Sequence, residues 1–405
     1  MNRKRLLLLA VGLIGLCLIG AGLFHFGLIG AVFSREEKFT APPRTVAESY
    51  GNFDQHVTIL FGGDVSFGES YGAEIRKMLA TRGYDFALAK FKPLMMASDF
   101  AVLNLETPMT NLKKSPFTGK KDYVHWTDPV KAPATLKQYH VRLVNLANNH
   151  TLDYGLPGLA QTFEVLHQAG IAWIGAGATE AEAQGPYLAE MSVGGAPSRI
   201  AILSAFEYSR AYDTQYHFYA RGKKPGAARL SPERIVAEIK KIRQKYPDAY
   251  VIFFPHWGGN YVWRSNRQVD WAHKILDGGA DLIIGTGAHR YQEIEQYNGK
   301  WIVYNLGNFM FNAPGRYEKL KSPPYGLIAT LMIENRGGKP ARSLKLYPML
   351  SDNRLTDYQP RLLEEPEFAD AYRQLSERAA DAAEFARLAP VGQDQFGRFI
   401  SLPMD

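Results

Sequence analysis

Eight short apolar runs, separated by stretches with helical spacing, limit what this chain can fold into more than any other feature of its sequence. Runs of this length are typical of buried strands, and they lie at 57–61, 100–105, 142–146, 171–174, 200–204, 250–254, 281–284 and 301–304. Amphipathic spacing at 156–169, 231–245 and 266–278 predicts helices between some of them. This alternation predicts an α/β fold with largely buried sheets, and 405 residues of which 46% are hydrophobic can form a sizeable core.

Polar side chains able to bind a metal follow five of these runs. Two glycines precede the first of these side chains, Asp64, and allow the chain to turn sharply there. In α/β sheets, binding and catalytic sites lie at the carboxyl ends of the strands. We therefore predict that six side chains from distant parts of the sequence share one site: Asp64, Glu106, Asn149, His150, His256 and His289.

Each of these side chains also has a purely structural explanation. Gly-Asp after a strand is common in turns, so Asp64 taken alone is more often a turn residue than a ligand. Asn148, Asn149 and His150 could form an Asx turn with a capping His. A single His after a strand, such as His256, is usually a hydrogen-bonded core or rim residue. The arrival of all six side chains from five separate strands is what favours a shared site.

The residue types in this set indicate the cofactor and the chemistry. The only cysteine, Cys17, lies in the apolar N-terminal stretch, so the rest of the chain has no thiolate ligand. Oxygen and imidazole donors suit divalent Mn, Fe or Zn, and two such ions bridged by a carboxylate would clamp a phosphoryl group and ionise a water. The two carboxylates would supply negative charge, Asn149, His256 and His289 neutral donors, and His150 a proton for the leaving oxygen.

The N-terminal region predicts a membrane anchor. Residues 6–33 carry no charged side chain. This uncharged stretch is longer than the roughly 20 residues that a spanning helix needs, and it is too long for the apolar part of a cleaved signal peptide. Basic residues precede the stretch and acidic residues follow it, which predicts a cytoplasmic N-terminus and an extracytoplasmic main domain. The predicted segments are a cytoplasmic tail (1–5), the anchor (6–33), a stalk (34–54), the main domain (55–350) and a C-terminal helical extension (351–405).

The net charge narrows the choice of partners. Three of the formal charges that make up the total of +7 come from Arg3, Lys4 and Arg5 in the N-terminal tail. The remaining excess does not form the concentrated basic stripe that is typical of nucleic-acid-binding proteins. We therefore expect no nucleic-acid partner, whereas a mild positive excess is compatible with handling a polyanion.

Several short motifs follow one another in a set order between residues 57 and 335. They are Gly63-Asp64, Asn104-Leu105-Glu106-Thr107-Pro108, the segment 147–155, Gly175-Ala176-Gly177, His256-Trp257-Gly258, Gly279-Ala280-Asp281 and the segment 304–309. Their order closely resembles the CapA (PgsA) family of poly-γ-glutamate capsule proteins, within the calcineurin-like metallophosphoesterase superfamily.

The resemblance implies a fold, a site and a cellular role. The fold is a four-layer α/β/β/α sandwich of two sheets flanked by helices, and the site is built from the six residues named above. The role is in making, anchoring or exporting an anionic surface polymer at a bacterial cell membrane. The implied partners are the membrane, a polyglutamate-like polymer and other membrane proteins of capsule synthesis.

Three positions depart from the pattern that the resemblance implies. The superfamily ends its metal motif with two His separated by one residue, and here the first of these positions is Gly287. It also places a His two residues after the first Asp, where this chain has Ser66, and the family often has a Glu where this chain has Asn260. Because each lost donor weakens metal binding, we expect one ion or a weakly bound pair, with no ion as the remaining alternative.

Three functions therefore stay open at the level of sequence. The first is an accessory role in the biosynthesis, anchoring or export of an anionic capsular polymer such as poly-γ-glutamate. The second is an extracytoplasmic metal-dependent phosphoesterase or polymer hydrolase that uses the surviving donors. The third is a non-catalytic scaffold whose metal site is a remnant, which the missing donor at Gly287 favours.

Overall fold

The predicted alternation of strands and helices is present in the computed structural model, which describes residues 39–404 of the chain. The strands are β1 (Ala47–Phe53), β2 (His56–Ser66), β3 (Phe100–Leu105), β4 (Val141–Asn145), β5 (Ala172–Ile174), β6 (Ala176–Gly177), β7 (Tyr187–Val193), β8 (Ala196–Leu203), β9 (Gly226–Ala227), β10 (Tyr250–Phe253), β11 (Leu282–Ile284), β12 (Ile294–Tyr297), β13 (Lys300–Val303), β14 (Asn308–Phe311), β15 (Tyr325–Arg336), β16 (Lys339–Leu350), β17 (Arg361–Leu362), β18 (Val391–Gln393) and β19 (Arg398–Pro403). The helices are α1 (Ala73–Arg82), α2 (Lys92–Met96), α3 (Lys131–Gln138), α4 (Gly155–Ala169), α5 (Glu180–Gln184), α6 (Pro232–Lys245), α7 (Asn266–Asp277), α8 (Asn353–Thr356), α9 (Glu367–Glu377) and α10 (Ala382–Leu388). Each of the eight predicted runs overlaps a strand, and the three predicted helices are α4, α6 and α7.

Local sequence sets where the long helices begin and end. Helix α7 begins with a capping box in which the Ser265 hydroxyl accepts from the Gln268 backbone N–H, while the Gln268 side chain accepts from the Ser265 backbone. Helix α6 carries Pro232 in its first turn, where the missing N–H costs nothing. Helix α4 ends at Gly170, whose φ of 69° is the left-handed conformation that closes many helices. These caps match the boundaries that hydrophobic spacing predicts.

The strands form two large mixed sheets. The larger sheet has ten strands, in the order β18-β19-β16-β15-β2-β3-β4-β5, with β14 added beside β2 and β17 beside β16. The smaller sheet has seven strands, in the order β1-β7-β8-β10-β11-β13-β12. Strands β2 to β5 run parallel to one another, and so do β8, β10, β11 and β13. Each parallel set therefore has all its carboxyl ends at one edge.

The two sheets share an apolar core, and helices pack on their other faces. Buried side chains such as Phe61 of β2 and Ile202 of β8 belong to one cluster, and the Phe61 and Phe254 rings are 5.7 Å apart. The alternate residues of the smaller sheet form a second cluster with α6 and α7. On the larger sheet, Phe163 of α4 stacks on Trp173 of β5 with ring centres 4.7 Å apart. These contacts confirm the predicted α/β class.

Two terminal segments contain strands where the sequence predicts none. Strand β1 lies inside the predicted stalk (34–54) and pairs in parallel with β7. The segment 351–405 does contain α9 and α10, but it also supplies β19, which pairs with β16 and extends the larger sheet. Both strands are half-exposed elements that lack a continuous apolar run, so a search for buried strands does not detect them.

The predicted tail and anchor (1–33) lie outside the described residues. Within residues 39–404, no helix combines the length and the apolar composition needed to cross a membrane. The anchor, the orientation and the extracytoplasmic location therefore stay predictions, as do the domain boundaries.

Candidate metal centre

The six predicted site residues all lie at or just beyond strand ends. Asp64 lies near the end of β2, Glu106 directly follows β3, and Asn149 and His150 follow β4. The remaining two residues, His256 and His289, follow β10 and β11 of the smaller sheet. Because the two sheets pack face to face, the carboxyl ends of these five strands converge.

A glycine makes the approach of the β2 end possible. The backbone N–H of Asp64 donates to the Gly307 carbonyl oxygen at 2.9 Å. A Cβ atom at Gly63 would lie 1.8 Å from that same oxygen, so no larger residue fits there without moving the backbone. Gly63 therefore allows Asp64 to reach the site. Both Gly62 and Gly63 lie inside β2, so the sharp turn predicted at these glycines is wrong, and the close approach of the Gly307 backbone is what requires a glycine at 63.

Glu106 is at the centre of the cluster. Its Oε1 lies 3.8 Å from His150 Nε2 and 3.9 Å from His256 Nε2, and its Oε2 lies 4.0 Å from His289 Nδ1. Both carboxylate oxygens are fully buried, and neither has a hydrogen-bond partner within residues 39–404. Burial raises the pKa of Glu106 to about 8, although the charge of His289 opposes this shift. A buried carboxylate without a partner is costly unless a cation fills the space between these donors.

Asp64 and His289 form the best-defined part of the cluster. Asp64 accepts hydrogen bonds from Asn104 Nδ2 at 2.8 Å and from the Gly287 N–H at 3.0 Å. His289 Nδ1 lies 3.4 Å from Asp64 Oδ2 and 2.9 Å from Asn308 Oδ1. Burial disfavours the charged imidazole, but the charges of Glu106 and Asp64 outweigh it and raise the pKa of His289 to about 9. Without a metal, the imidazolium therefore supplies the positive charge.

Ligand atoms of Asp64, Glu106 and His289 all lie within 4.8 Å of one another, and all three side chains are buried. Carboxylate oxygens and an imidazole nitrogen at this spacing fit a divalent ion such as Mn or Zn. The unpaired Glu106 oxygens support an ion here independently of the sequence motif, because a bound cation would satisfy them. The predicted ion is thus compatible with these residues, and its identity stays open.

Asn149 and His150 come from the end of β4, and His150 Nε2 lies near Glu106 Oε1. The Asn149 Oδ1 atom is buried and has no hydrogen-bond partner among the described residues, which is unusual for an amide oxygen unless a ligand completes it. His150 Nδ1 lies 2.6 Å from Asp153 Oδ2, so the proton of the neutral ring lies on Nδ1 and Nε2 faces the site as an acceptor. Burial and the charge of Lys121 hold the pKa of His150 well below its usual value. In this neutral form Nε2 can accept a proton but has none to donate. The proton-donor role therefore stays a prediction that requires His150 to be protonated first.

Asp153 organises the wall beside His150. It accepts from Lys121 Nζ at 2.5 Å, from His150 Nδ1 and from the His125 backbone N–H at 2.6 Å, with no exposed surface. His125, His150 and Asp153 also lie close enough together to hold a metal. Lys121 already supplies the cation there, because its ammonium group pairs directly with Asp153. Its approach to His150 Nδ1, at 3.0 Å, is not a hydrogen bond, since that nitrogen donates its own proton to Asp153. We therefore assign this second group as a positioning network.

Gly287 is the position at which the sequence resemblance implies a His ligand. Its φ is 102°, and a Cβ atom there would lie 2.9 Å from three atoms of the His256 ring. The His256 ring thus fills the space that a side chain at 287 would need. Restoring a His at 287 would not simply restore a ligand, since His256 would have to move.

We expect Gly287→Ala to lower the free energy of unfolding by about 1–3 kcal/mol, from the clash and the left-handed backbone together. Gly299→Ala is the matched control, because Gly299 also has a positive φ (77°) but a Cβ atom added there would meet no atom of the described residues within 4 Å. In urea denaturation, Gly299→Ala should lose less free energy of unfolding than Gly287→Ala. Equal losses in the two variants would show that the His256 ring can move away from a Cβ atom at 287 without cost.

A cavity of ≈ 620 Å³ adjoins the cluster, large enough for a ligand of several units. Asn149, His150 and His289 reach its surface. Six aromatic side chains also line it: Tyr71, Tyr123, Tyr212, Tyr216, Tyr261 and Phe311. Two cations, Lys121 and Arg316, and one carboxylate, Asp122, are also in the lining. The cavity therefore joins the candidate metal centre to an aromatic surface that carries both basic and acidic groups.

Sequence reasoning identified all six residues that the structure brings together, but it missed their supporting side chains. Asn104 and Asn308 were visible only as parts of motifs, and Lys121, His125 and Asp153 had no assigned role. Asn104 lies two residues before Glu106 in a strand whose side chains are all buried. A polar residue inside such a strand is the one sequence signal that could have pointed to a buried network.

The fold and the site define an α/β protein with a buried candidate metal centre of carboxylate, amide and imidazole groups at the strand ends. The sequence model of one family, "Bacterial capsule synthesis protein PGA_cap", matches residues 58–313, which is more than half of the chain. The chain belongs to this family. The family resemblance seen in the motif order is thereby confirmed.

The relatives carry names from capsule synthesis. The chain is 30% identical over 260 residues to the "PGA biosynthesis protein CapA" of Bacillus subtilis, covering 64% of each chain. It is 26% identical over 262 residues to the "Capsule biosynthesis protein CapA" of Bacillus anthracis, covering 64% of this chain and 61% of the relative. The matched region therefore spans less than two thirds of these relatives. Among solved structures, a phosphatase from Mycoplasma pneumoniae is similar with a TM-score of 0.41 and 14% identity, covering 80% of this chain and 100% of that chain.

Proposed function

We propose that this protein is an accessory protein for the synthesis, anchoring or export of an anionic capsular polymer such as poly-γ-glutamate, and that its cavity binds the polymer. Membership of the capsule synthesis family supports this role. The observation that carries it is the cavity of ≈ 620 Å³, which is larger than a single reacting group requires and contains a basic side chain, Arg316. Polymer units on either side of the metal centre would lie against the aromatic lining.

The location and the partners follow from the same proposal. An uncleaved anchor at 6–33 would place the polymer-binding domain outside the cytoplasm of a bacterial cell, next to other membrane proteins of capsule synthesis. The two packed sheets with helices on their other faces support a four-layer metallophosphoesterase-like sandwich. Deletion of the gene should reduce surface polymer, and unchanged surface polymer would contradict the proposal.

A second candidate function is metal-dependent hydrolysis of a phosphoester or of the polymer itself. The buried, unpaired oxygens of Glu106 favour it, because Asp64, Glu106 and His289 would hold a divalent ion next to the cavity. A bound ion would supply Lewis-acid polarisation of a carbonyl or phosphoryl oxygen. Asn149 would orient the ligand, and neutral His150 would accept a proton at Nε2. Purified protein should be tested with Mn²⁺ for ion binding and for cleavage of a phosphodiester. If it does neither, hydrolysis is excluded and the non-catalytic scaffold is the function that remains from this site.

Arg316 provides a direct test of polymer binding. Its guanidinium lies 6.0 Å from the centre of the Tyr261 ring at the cavity and makes no ion pair with any acidic side chain among residues 39–404. A guanidinium can bind a carboxylate through two parallel hydrogen bonds. We expect Arg316→Gln to weaken binding of poly-γ-glutamate by roughly tenfold, since a charge-assisted hydrogen bond contributes about 1.5–3 kcal/mol.

Fluorescence anisotropy with labelled poly-γ-glutamate, at low and high salt, would measure this change. Arg354→Gln is the control, because Arg354 is an exposed arginine that pairs with Glu318 away from the cavity lining. It should bind the polymer like the unaltered protein. Equal weakening by both substitutions would mean that only net charge matters.

A further inference from the structure

The protonated nitrogen of His256 follows from a chain of hydrogen bonds that starts at a backbone N–H. The Ala147 N–H can only donate, and it lies 2.8 Å from Asn145 Oδ1, so this atom is the amide oxygen. The Ser204 hydroxyl donates to the same oxygen at 2.7 Å. Asn145 Nδ2 therefore donates to Asn104 Oδ1 at 3.1 Å. The orientation of the Asn104 amide is thereby fixed.

The other end of Asn104 is consequently a donor with two hydrogens. Its Nδ2 lies 2.8 Å from Asp64 Oδ1 and 3.1 Å from His256 Nδ1, so each of these atoms receives one hydrogen. His256 Nδ1 is then an acceptor, and the proton of the neutral imidazole lies on Nε2. This ring is only 5% exposed, which favours its neutral form.

We propose that His256 is a positioning residue that presents an N–H to Glu106, and that the centre holds one divalent ion through Asp64, Glu106 and His289. A His ligand must present a lone pair to the metal while its other nitrogen donates. His289 meets this requirement with Nε2, because its Nδ1 donates to Asn308 Oδ1. His256 has the opposite arrangement, with its proton on the nitrogen that is nearer Glu106. Its Nε2 lies 3.9 Å from Glu106 Oε1, whereas Glu106 Oε2 is on the side of His289. The attraction between this N–H and Oε1 leaves Oε2 for the ion.

A second ion next to the first would need imidazole ligands from positions 256 and 287, and neither position supplies one. Gly287 has no side chain, and the His256 ring, turned as a donor, occupies the adjacent space. Exchanging the His256 proton to Nδ1 would bring two N–H groups face to face at Asn104, which the fixed Asn145 amide cannot relieve. This inference rests on the ion binding in the proposed function, but the position of the proton on His256 does not.

Metal titration of the full-length protein tests the number of ions and the role of His256. Isothermal titration with Mn²⁺ should show one ion per chain. Loss of a residue that only supports a ligand weakens metal binding by about 10–100-fold. Because His256 contacts Glu106 only across 3.9 Å, we expect His256→Ala to raise the dissociation constant by about tenfold at most, the lower end of that range. His289→Ala removes a direct ligand and should raise it by more than about 100-fold. Two ions per chain, or equal losses in the two variants, would overturn the proposal.

The proton itself can be observed in the unaltered protein, so a substitution is needed only to assign the signal. Long-range ¹H–¹⁵N spectra of ¹⁵N-His-labelled protein distinguish Nε2–H from Nδ1–H rings, and His256→Gln identifies the signal. We expect the Nε2–H form both without metal and with Zn²⁺. An Nδ1–H ring with Zn²⁺ would make His256 a ligand and refute the inference. If no metal binds, the single-ion centre fails together with the proposed ion binding, while the metal-free spectrum still decides which nitrogen carries the proton.

Discussion

Replacement of Glu106 by Gln is expected to weaken Mn²⁺ binding by more than about 100-fold, the upper limit for losing a residue that only supports a ligand. Glu106 has the central carboxylate of the cluster, and in the part of the chain that the structure describes its two buried oxygens have no hydrogen-bond partner. An amide keeps the shape but loses the charge and one of the two acceptor atoms. The dissociation constant measured by isothermal titration checks this expectation directly.

The same substitution should stabilise the protein when no metal is present. Burial raises the pKa of Glu106 to about 8, so folding without metal requires the carboxyl group to take up a proton at neutral pH. Replacing it with a neutral amide removes this cost, which we expect to raise the free energy of unfolding by about 1–3 kcal/mol at pH 7. Glu106→Gln should thus weaken metal binding but stabilise the metal-free protein. Such opposite effects are characteristic of a binding-site residue that lowers the stability of the fold.

The pH dependence gives an independent check with a defined sign. Because the folded-state pKa lies above the usual value for Glu, the folded protein binds more protons than the unfolded chain between about pH 4.5 and 8. The contribution of Glu106 to stability is therefore present at the low end of this window and is lost as the pH rises through it. Metal-free Glu106→Gln should lack this decline.

Asp122→Asn is the matched control for charge. Asp122 lines the same cavity but is exposed, so its replacement removes one negative charge without altering the cluster. It should leave Mn²⁺ affinity and stability almost unchanged, within the ±0.5 kcal/mol or so that is usual for surface substitutions. Equal loss of affinity in both variants would mean that Mn²⁺ binds through the general charge of the cavity.

The convergence of the six site residues was predictable because it follows from one rule of sheet topology. Asp64 and His289 are far apart in sequence, yet Asp64 lies near the end of one buried parallel strand and His289 follows another, and both reach the same edge of the packed sheets. The apolar runs reveal such strands directly. Where the strands are half exposed, as in β1 and β19, the apolar pattern is absent and the prediction failed.

The supporting network was not predictable for a different physical reason. Asn104 connects Asp64 with His256 through two hydrogen bonds, and the ion pair of Lys121 and Asp153 joins residues that are 32 positions apart. The role of each of these side chains therefore depends on which side chains meet after folding. Nothing in their spacing distinguishes Lys121 from the solvated lysines near it. The Lys121 side chain is only 5% exposed in the folded protein. This burial makes Lys121 a structural cation that pairs with Asp153, in contrast to the surface lysines.

That burial leads to the largest effect on stability that we expect from one substitution in this region. Asp153→Ala should lower the free energy of unfolding by about 3–5 kcal/mol, the usual cost of leaving one charge of a buried pair without its partner. Lys121 would lose its 2.5 Å contact, and the His125 backbone N–H and His150 Nδ1 would lose their acceptor at the same time. Urea denaturation at pH 7 measures the loss.

Two further variants separate the charge from the lost hydrogen bonds. Lys121→Met removes the stranded cation, so Asp153→Ala combined with Lys121→Met should be more stable than Asp153→Ala alone, with a coupling energy above about 1 kcal/mol. The exposed pair Arg354 and Glu318 is the control, and Glu318→Ala should cost no more than about 0.5 kcal/mol. If the double variant is no better than Asp153→Ala, the hydrogen bonds to His125 and His150 carry the stability. In that case the role of Lys121 would be limited to lowering the pKa of His150, which its charge already does in the folded protein.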